Sequence, residues 1–141
     1  MSTIWDALTR NGARTDRLSP DAALRGRTYA IPFDRVWNAA LDVCRGSKRA
    51  WEVTTSDDQN GVIRAVTPKR LLGAVADVTV RVTLDANGQT RVDVESLSRD
   101  STRDLGANRK RIQRFLPALD RRLGATPAQI LEDPVEVEAT S

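Results

Sequence analysis

The residues with the most chemistry in their side chains gather over a short stretch. Ser96, Ser98 and Arg99 end a strand-like run, and Arg103, Asp104, Asn108 and Arg111 follow as a basic amphipathic helix begins. Hydroxyls, guanidinium groups and a carboxylate at a strand-to-helix turn can bond one another and fix the turn. They can also receive an anion, because the first N–H groups of a helix and nearby arginines favour phosphate or carboxylate. Asp104 works against the second use, since its own carboxylate would occupy those donors. Asn108 lies inside the apolar arc of the helix, where an amide left without partners costs about 1–3 kcal/mol. Its expected partners are Ser98 or backbone groups of residues 100–103. The expected arrangement is a structural latch of Asn108, Asp104, Ser98 and Arg99, with Gly106 letting the backbone pass closely. A ligand or anion site built from the same residues comes second. Asp77 joins this set, because strand pairing through the Asn87-Gly88 turn brings it beside the end of the 96–99 run, where an ion pair with Arg99 is expected.

Most catalytic chemistries are excluded by composition. The chain has no histidine, which removes the usual general base, the commonest metal ligand and every Ser-His or Cys-His pairing. The single cysteine, Cys44, falls within an apolar helical arc and is expected to pack as a small hydrophobe. Carboxylate catalysis through Asp77 and Asp104 would require two acids with separated pKa values in one pocket. The 57–61 turn faintly echoes a calcium loop, but Thr67 stands where the bidentate glutamate belongs. No metal and no cofactor is expected, and the sequence leans away from an enzyme while leaving carboxylate chemistry open.

At 141 residues, 40% of them hydrophobic, the chain suits one soluble domain able to bury a core without disulfides or metal. No apolar run is long enough to cross a bilayer as a helix, and no basic-then-apolar leader opens the sequence, so a cytoplasmic protein is expected. The net charge of +3 hides an acidic end, Glu132, Asp133, Glu136 and Glu138, so the body is more basic than the total. A basic run at Arg109-Lys110-Arg111 comes without zinc-finger spacing or stacking aromatics, so nucleic acid is not the expected partner.

The elements that must position these residues follow from periodicity. Ser2 or Thr3 can cap a short helix carrying Ile4, Trp5 and Leu8, stopped by Asn11-Gly12. A polar connection then runs to Leu24. Arg27 to Ile31 reads as a strand with Tyr29 and Ile31 on one face, closed by Pro32. A helix follows from Phe33 to about Arg45, with Val36, Ala40, Val43 and Cys44 on one arc, extended by Trp37 and Leu41. Trp51–Thr55 and Val62–Thr67 form a hairpin across Asn60-Gly61. Asp77–Leu84 places Val78, Val80, Val82 and Leu84 on one face, and Arg91–Arg99 returns with Val92 and Val94 opposed to Arg91, Asp93 and Glu95. The last long helix runs from an Asp104 cap to Gly124, with Leu105, Ile112, Phe115, Leu116, Leu119 and Leu123 inward and Lys110, Arg114 and Arg121 outward. Thr126-Pro127 opens a short helix through Leu131. The expected organisation is an N-terminal helix and linker over 1–23, one α+β domain over 24–125, and a short helix with an acidic tail over 126–141.

Ser96-Leu97-Ser98-Arg99, four further residues, and then Asp104-Leu105-Gly106-Ala107-Asn108-Arg109-Lys110-Arg111-Ile112 closely resemble the signature of the family called domain of unknown function 1499. Tyr29-Ala30-Ile31-Pro32 with Val36-Trp37, the Trp51 hairpin, Gly61-Val62-Ile63 and Asp77–Val82 look like its other landmarks. The chain departs from the family pattern in three places: an upstream Pro-Asn-Cys-Val-Ser segment is absent, paired aspartates appear as Ala76-Asp77, and a common glycine is Ser101. The resemblance implies a fold and a family and no activity.

The element order also looks like helix-grip modules. The expected fold class is therefore α+β: an antiparallel sheet of about five strands with two helices on one face, and a short N-terminal helix. The expected function is a non-enzymatic ligand-binding or protein-interaction module, for an unspecified small ligand or protein partner. The alternative is an anion or phosphometabolite site at the start of the last helix, using Asp77, Ser96, Ser98, Arg99, Arg103, Asp104, Asn108 and Arg111, and extending to a histidine-independent carboxylate enzyme acting through Asp77 and Asp104.

Overall fold

The computed structural model describes residues 8–9, 12–46, 51–68, 75–99 and 106–131. Its centre is the hairpin of β6 (Ala76–Leu84) and β7 (Thr90–Ser98), paired without interruption from Ala76 opposite Ser98 to Leu84 opposite Thr90. Strict alternation fixes this register, since a slip of one residue would turn every valine toward water. β5 (Val62–Val66) adds to β6, and β4 (Glu52–Asp57) adds to β5 with an irregularity between Val53 and Thr55. Gly61 closes the β4–β5 turn at φ +69°, and a Cβ there would collide with the carbonyl oxygen of Val82. The position therefore demands glycine both for its backbone angle and for close approach.

The other edge of β7 is shared by two short strands. β2 (Gly12–Arg14) pairs with residues 95–97, and β3 (Arg27–Tyr29) with residues 90–92. Thr15 fills the gap between them: its N–H donates to Val94 O at 2.8 Å, and its Oγ1 accepts from Val94 N–H at 3.0 Å. β1 (Leu8–Thr9) extends β2, and β8 (Ile130–Leu131) extends β3. All pairings are antiparallel.

Two helices cover one face. α1 (Phe33–Gly46) turns Val36, Ala40 and Cys44 inward, and α2 (Ala107–Leu123) turns in Ile112, Phe115, Leu116, Leu119 and Leu123. They meet Ile63, Val78, Val80, Val82, Val92 and Val94 in one aliphatic core. Each such side chain contributes about 1.5–3 kcal/mol of burial. Trp51 stacks on Phe115 with centroids 5.6 Å apart, which ties the start of β4 to α2. This is the α+β, helix-grip-like arrangement that the element order implies.

Several expectations are corrected. Eight strands, not about five, are present among the described residues; the three additions, β1, β2 and β8, are two or three residues long and lack an alternating run. The end of the expected short N-terminal helix is a strand instead: Leu8 lies in β1 opposite Ala13, and Thr9 lies opposite Gly12. Asn-Gly sequences serve hairpins as well as helix ends, and a free strand edge on β7 offers hydrogen bonds that a two-turn helix cannot match. Residues 1–7 lie outside the described residues. The polar segment before Leu24 contributes β2, a buried Ala13 and a short 3-10 turn at Ala22–Leu24. At the C-terminal end, Pro127–Gln129 is a 3-10 turn leading into β8, not an α-helix. Leu84 and Arg91 keep the faces that alternation assigns, but Leu84 is 61% exposed beside the β6–β7 turn and Arg91 only 6% exposed.

Candidate functional site

The pleat of β7 divides the candidate residues between two faces. Ser96 and Ser98 continue the alternation of Val92 and Val94, so they point toward α2. Ser96 sits opposite Ala13 on one side and Val78 on the other, and these small partners leave room for a side chain descending from the helix. That side chain is Asn108, one turn into α2; Asn108 and Ser96 are both fully buried. The Ser96 hydroxyl donates to Asn108 Oδ1 at 2.6 Å, and Asn108 Nδ2 donates to Ser98 Oγ at 2.9 Å. Arg111, one turn further along, sends Nη1 into the same cluster, 2.7 Å from Asn108 Oδ1 and 3.0 Å from Ser96 Oγ. The i, i+3 spacing of Asn108 and Arg111 puts both on one helix face, so the amide oxygen takes a neutral and a charge-assisted bond. The cluster bolts the first turn of α2 to the end of β7.

Asp77 and Arg99 lie on the opposite, helix-free face. The expected ion pair is present: Arg99 Nε and Nη2 approach the Asp77 carboxylate at 3.0–3.2 Å. Asp77 raises the pKa of the Arg99 guanidinium further, through that hydrogen bond and its charge. The side chains are 55% and 53% exposed, so water screens the pair, and Arg99 takes no part in the Asn108 cluster. Arg103 and Asp104 lie outside the described residues. The helix start differs from the expectation in that Gly106, at φ +82°, stands at the N-cap of α2 with no side-chain cap, and the helix begins at Ala107.

Sequence reasoning missed two further polar clusters. Arg91 fixes the segment before β3. It gives Nε and Nη2 to Asp93 at 3.1 and 2.8 Å, Nη2 to the Arg25 carbonyl, and Nη1 to Thr28 Oγ1 at 3.3 Å. Thr15 Oγ1 completes it with a 2.7 Å bond to Asp93. On the helix side, Asp120 of α2 accepts Arg27 Nε and Nη2 at 3.0–3.1 Å, together with the Tyr29 hydroxyl. Burial, reinforced by Asp120, pushes the Tyr29 phenol far above its ordinary value. One signal was legible: Arg27 is in phase with Tyr29 on a buried strand face, so its charge must meet a partner. Arg109 closes a third tie, to Asp21 at 2.6 Å, and this bond holds the Asp21 carboxyl below its usual range.

Chemically the arrangement holds and orients. Burial pushes the Cys44 thiol up to about 12, so it is no nucleophile at neutral pH. No group of three or more potential metal ligands occurs among the described residues. No described helix is long and apolar enough to cross a membrane.

No curated protein matches the chain. The model of the family described as Protein of unknown function (DUF1499) matches residues 6–119, which includes the Ser96–Asn108–Arg111 cluster and every long strand, and the chain belongs to this family.

Proposed function

We propose that the chain is a non-enzymatic binding or interaction module. Its binding surface would be shaped by the sheet and α2 together, with the 96–111 junction setting the angle between them. The observation that carries this reading is the Ser96–Asn108–Ser98–Arg111 cluster: it joins helix to strand by mutual hydrogen bonds, and among the described residues no buried side-chain polar atom lacks a partner. Groups that satisfy one another fix geometry, whereas catalysis requires a reactive group held apart for the substrate. The alternative anion site at the start of α2 draws less support, because the Arg99 fork is turned onto Asp77 on the other face.

Native mass spectrometry of freshly purified protein tests the ligand-binding form. The expected spectrum shows a retained small molecule or a copurified protein, lost in Arg111→Gln under conditions where that variant remains folded. A spectrum of the bare chain in every preparation, with no partner recovered, would refute it.

A further inference from the structure

We propose that the outer stripe of α2 docks on the phosphate backbone of duplex nucleic acid. α2 carries six cations, Arg109, Lys110, Arg111, Arg114, Arg121 and Arg122, against the single carboxylate of Asp120. Asp120 is turned inward onto Arg27 and Tyr29. Three of the cations are held by the fold itself: Arg109 by Asp21, Arg111 by Ser96 and Asn108, and Arg122 by Asp42 at 2.7 Å. Lys110, Arg114 and Arg121 are exposed, and their side chains have no hydrogen-bond or ion-pair partner among the described residues. At about 100° and 1.5 Å per residue, these three fall within an arc of about 40° and span about 16 Å of helix.

A solvated helix face ordinarily interleaves charges of both signs; this stripe carries one. The surrounding chain reinforces it: residues 1–131 hold 22 Lys and Arg against 15 Asp and Glu, a balance of +7. A helix seated on a membrane sets large apolar side chains beside its cations. Here the apolar side of α2 is sunk in the core, and the exposed large apolar residues among those described, Leu18, Leu84 and Leu97, stand on other elements. A straight row of long cationic arms fits a linear polyanion whose charges recur every ~3.4 Å along each strand. Phe115, the helix's one aromatic, is buried, so the stripe offers no platform for the bases of a single strand. Gln113, Pro117 and Ala118 are the intervening residues, and Gln113 accepts a bond from Arg109, so contacts go to phosphate and recognition is independent of sequence.

Fluorescence anisotropy of the full chain with labelled duplexes of about 20 base pairs, in two unrelated sequences, tests this across 50–200 mM KCl. Both duplexes are expected to bind equally. Three phosphate contacts give a slope of log affinity against log salt near −2.7, so binding weakens about 40-fold over that range. The variant Lys110→Gln/Arg114→Gln/Arg121→Gln is expected to lose binding with its melting temperature unchanged. The charge-matched variant Arg14→Gln/Arg64→Gln/Arg81→Gln, on the helix-free face of the sheet, is expected to retain both binding and slope. The proposal is overturned by no binding at 50 mM KCl or by equal losses in the two triple variants. Preference for phosphatidylserine vesicles or polyglutamate over the duplex overturns it as well.

Discussion

Replacing Asn108 by alanine tests whether the junction holds the fold together. The substitution removes the acceptor shared by Ser96 and Arg111 and the donor that serves Ser98. Ser98 is half-buried and can turn to water, and Arg111 keeps its bond to Ser96. The Ser96 hydroxyl has neither remedy: it is fully buried and loses its one acceptor among the described residues. An orphaned buried donor costs about 1–3 kcal/mol, and the lost charge-assisted bond and the space vacated by the amide bring the total to about 2–3 kcal/mol. In a domain of this size each kcal/mol moves the melting temperature by roughly 3–5 °C, so a drop of about 6–15 °C is expected. Thermal unfolding followed by circular dichroism reads it. Ser96→Ala supplies the second arm of a double-mutant cycle. Once Asn108 is gone the hydroxyl has lost its acceptor and serves only Arg111, so Ser96→Ala should cost less in that background, by about 0.5–3 kcal/mol of coupling. A drop under about 2 °C, or strict additivity, would refute the reasoning.

Gly61→Ala is expected to lower the melting temperature more than Gly88→Ala, because both glycines have positive φ but only the first has a carbonyl in the way; parallel melts decide it. The Asp21 carboxyl titrates below its unfolded value because Arg109 bonds it, so its contribution is complete above about pH 4 and fades as pH falls through the folded pKa. Accordingly, the melting-temperature gap between the unmodified chain and Asp21→Asn should be open at pH 7 and close in acid, and a gap independent of pH would contradict the assignment. The Cys44 thiol, with its pKa near 12 and no exposure, should resist a thiol reagent at pH 8 in the native protein and react fully in denaturant; rapid native labelling would show that the core opens there.

The elements that could be read in advance are those whose signal lies within their own residues. Val78, Val80 and Val82 alternate, Val36, Ala40 and Cys44 recur at helical spacing, and both runs stand as expected. β2 escaped because Gly12-Ala13-Arg14 has no pattern and forms a strand only by completing the edge of β7. Arg91 stands on the face expected of it, and only its burial escaped, for a related reason. Alternation assigns a face correctly but does not say what covers it, and the turn at Arg25 and Gly26 comes from a segment more than sixty residues away. At the junction, Asn108 was identifiable as a polar residue in an apolar arc, and Ser98 as its partner. Arg99 was grouped with it wrongly, since odd and even positions of one strand face opposite sides of the sheet.

That division also sorts the arginines of α2, which composition alone makes equivalent. Near its start the helix is tied to β7 through Asn108 and Arg111, and to the Asp21 turn through Arg109. Near its end it is tied to β3 through Asp120, and to α1 through Arg122. Each tie uses a side chain lying within or beside the apolar stripe, where the helix meets a neighbour. Lys110, Arg114 and Arg121 lie outside that boundary and join no described element, so replacing them should leave the fold as it is. A loss of function in those variants would therefore report on a partner, whereas a loss in Asn108 or Arg111 variants must first be separated from a loosened helix. The same helix carries both kinds of cation, and only their partners distinguish them.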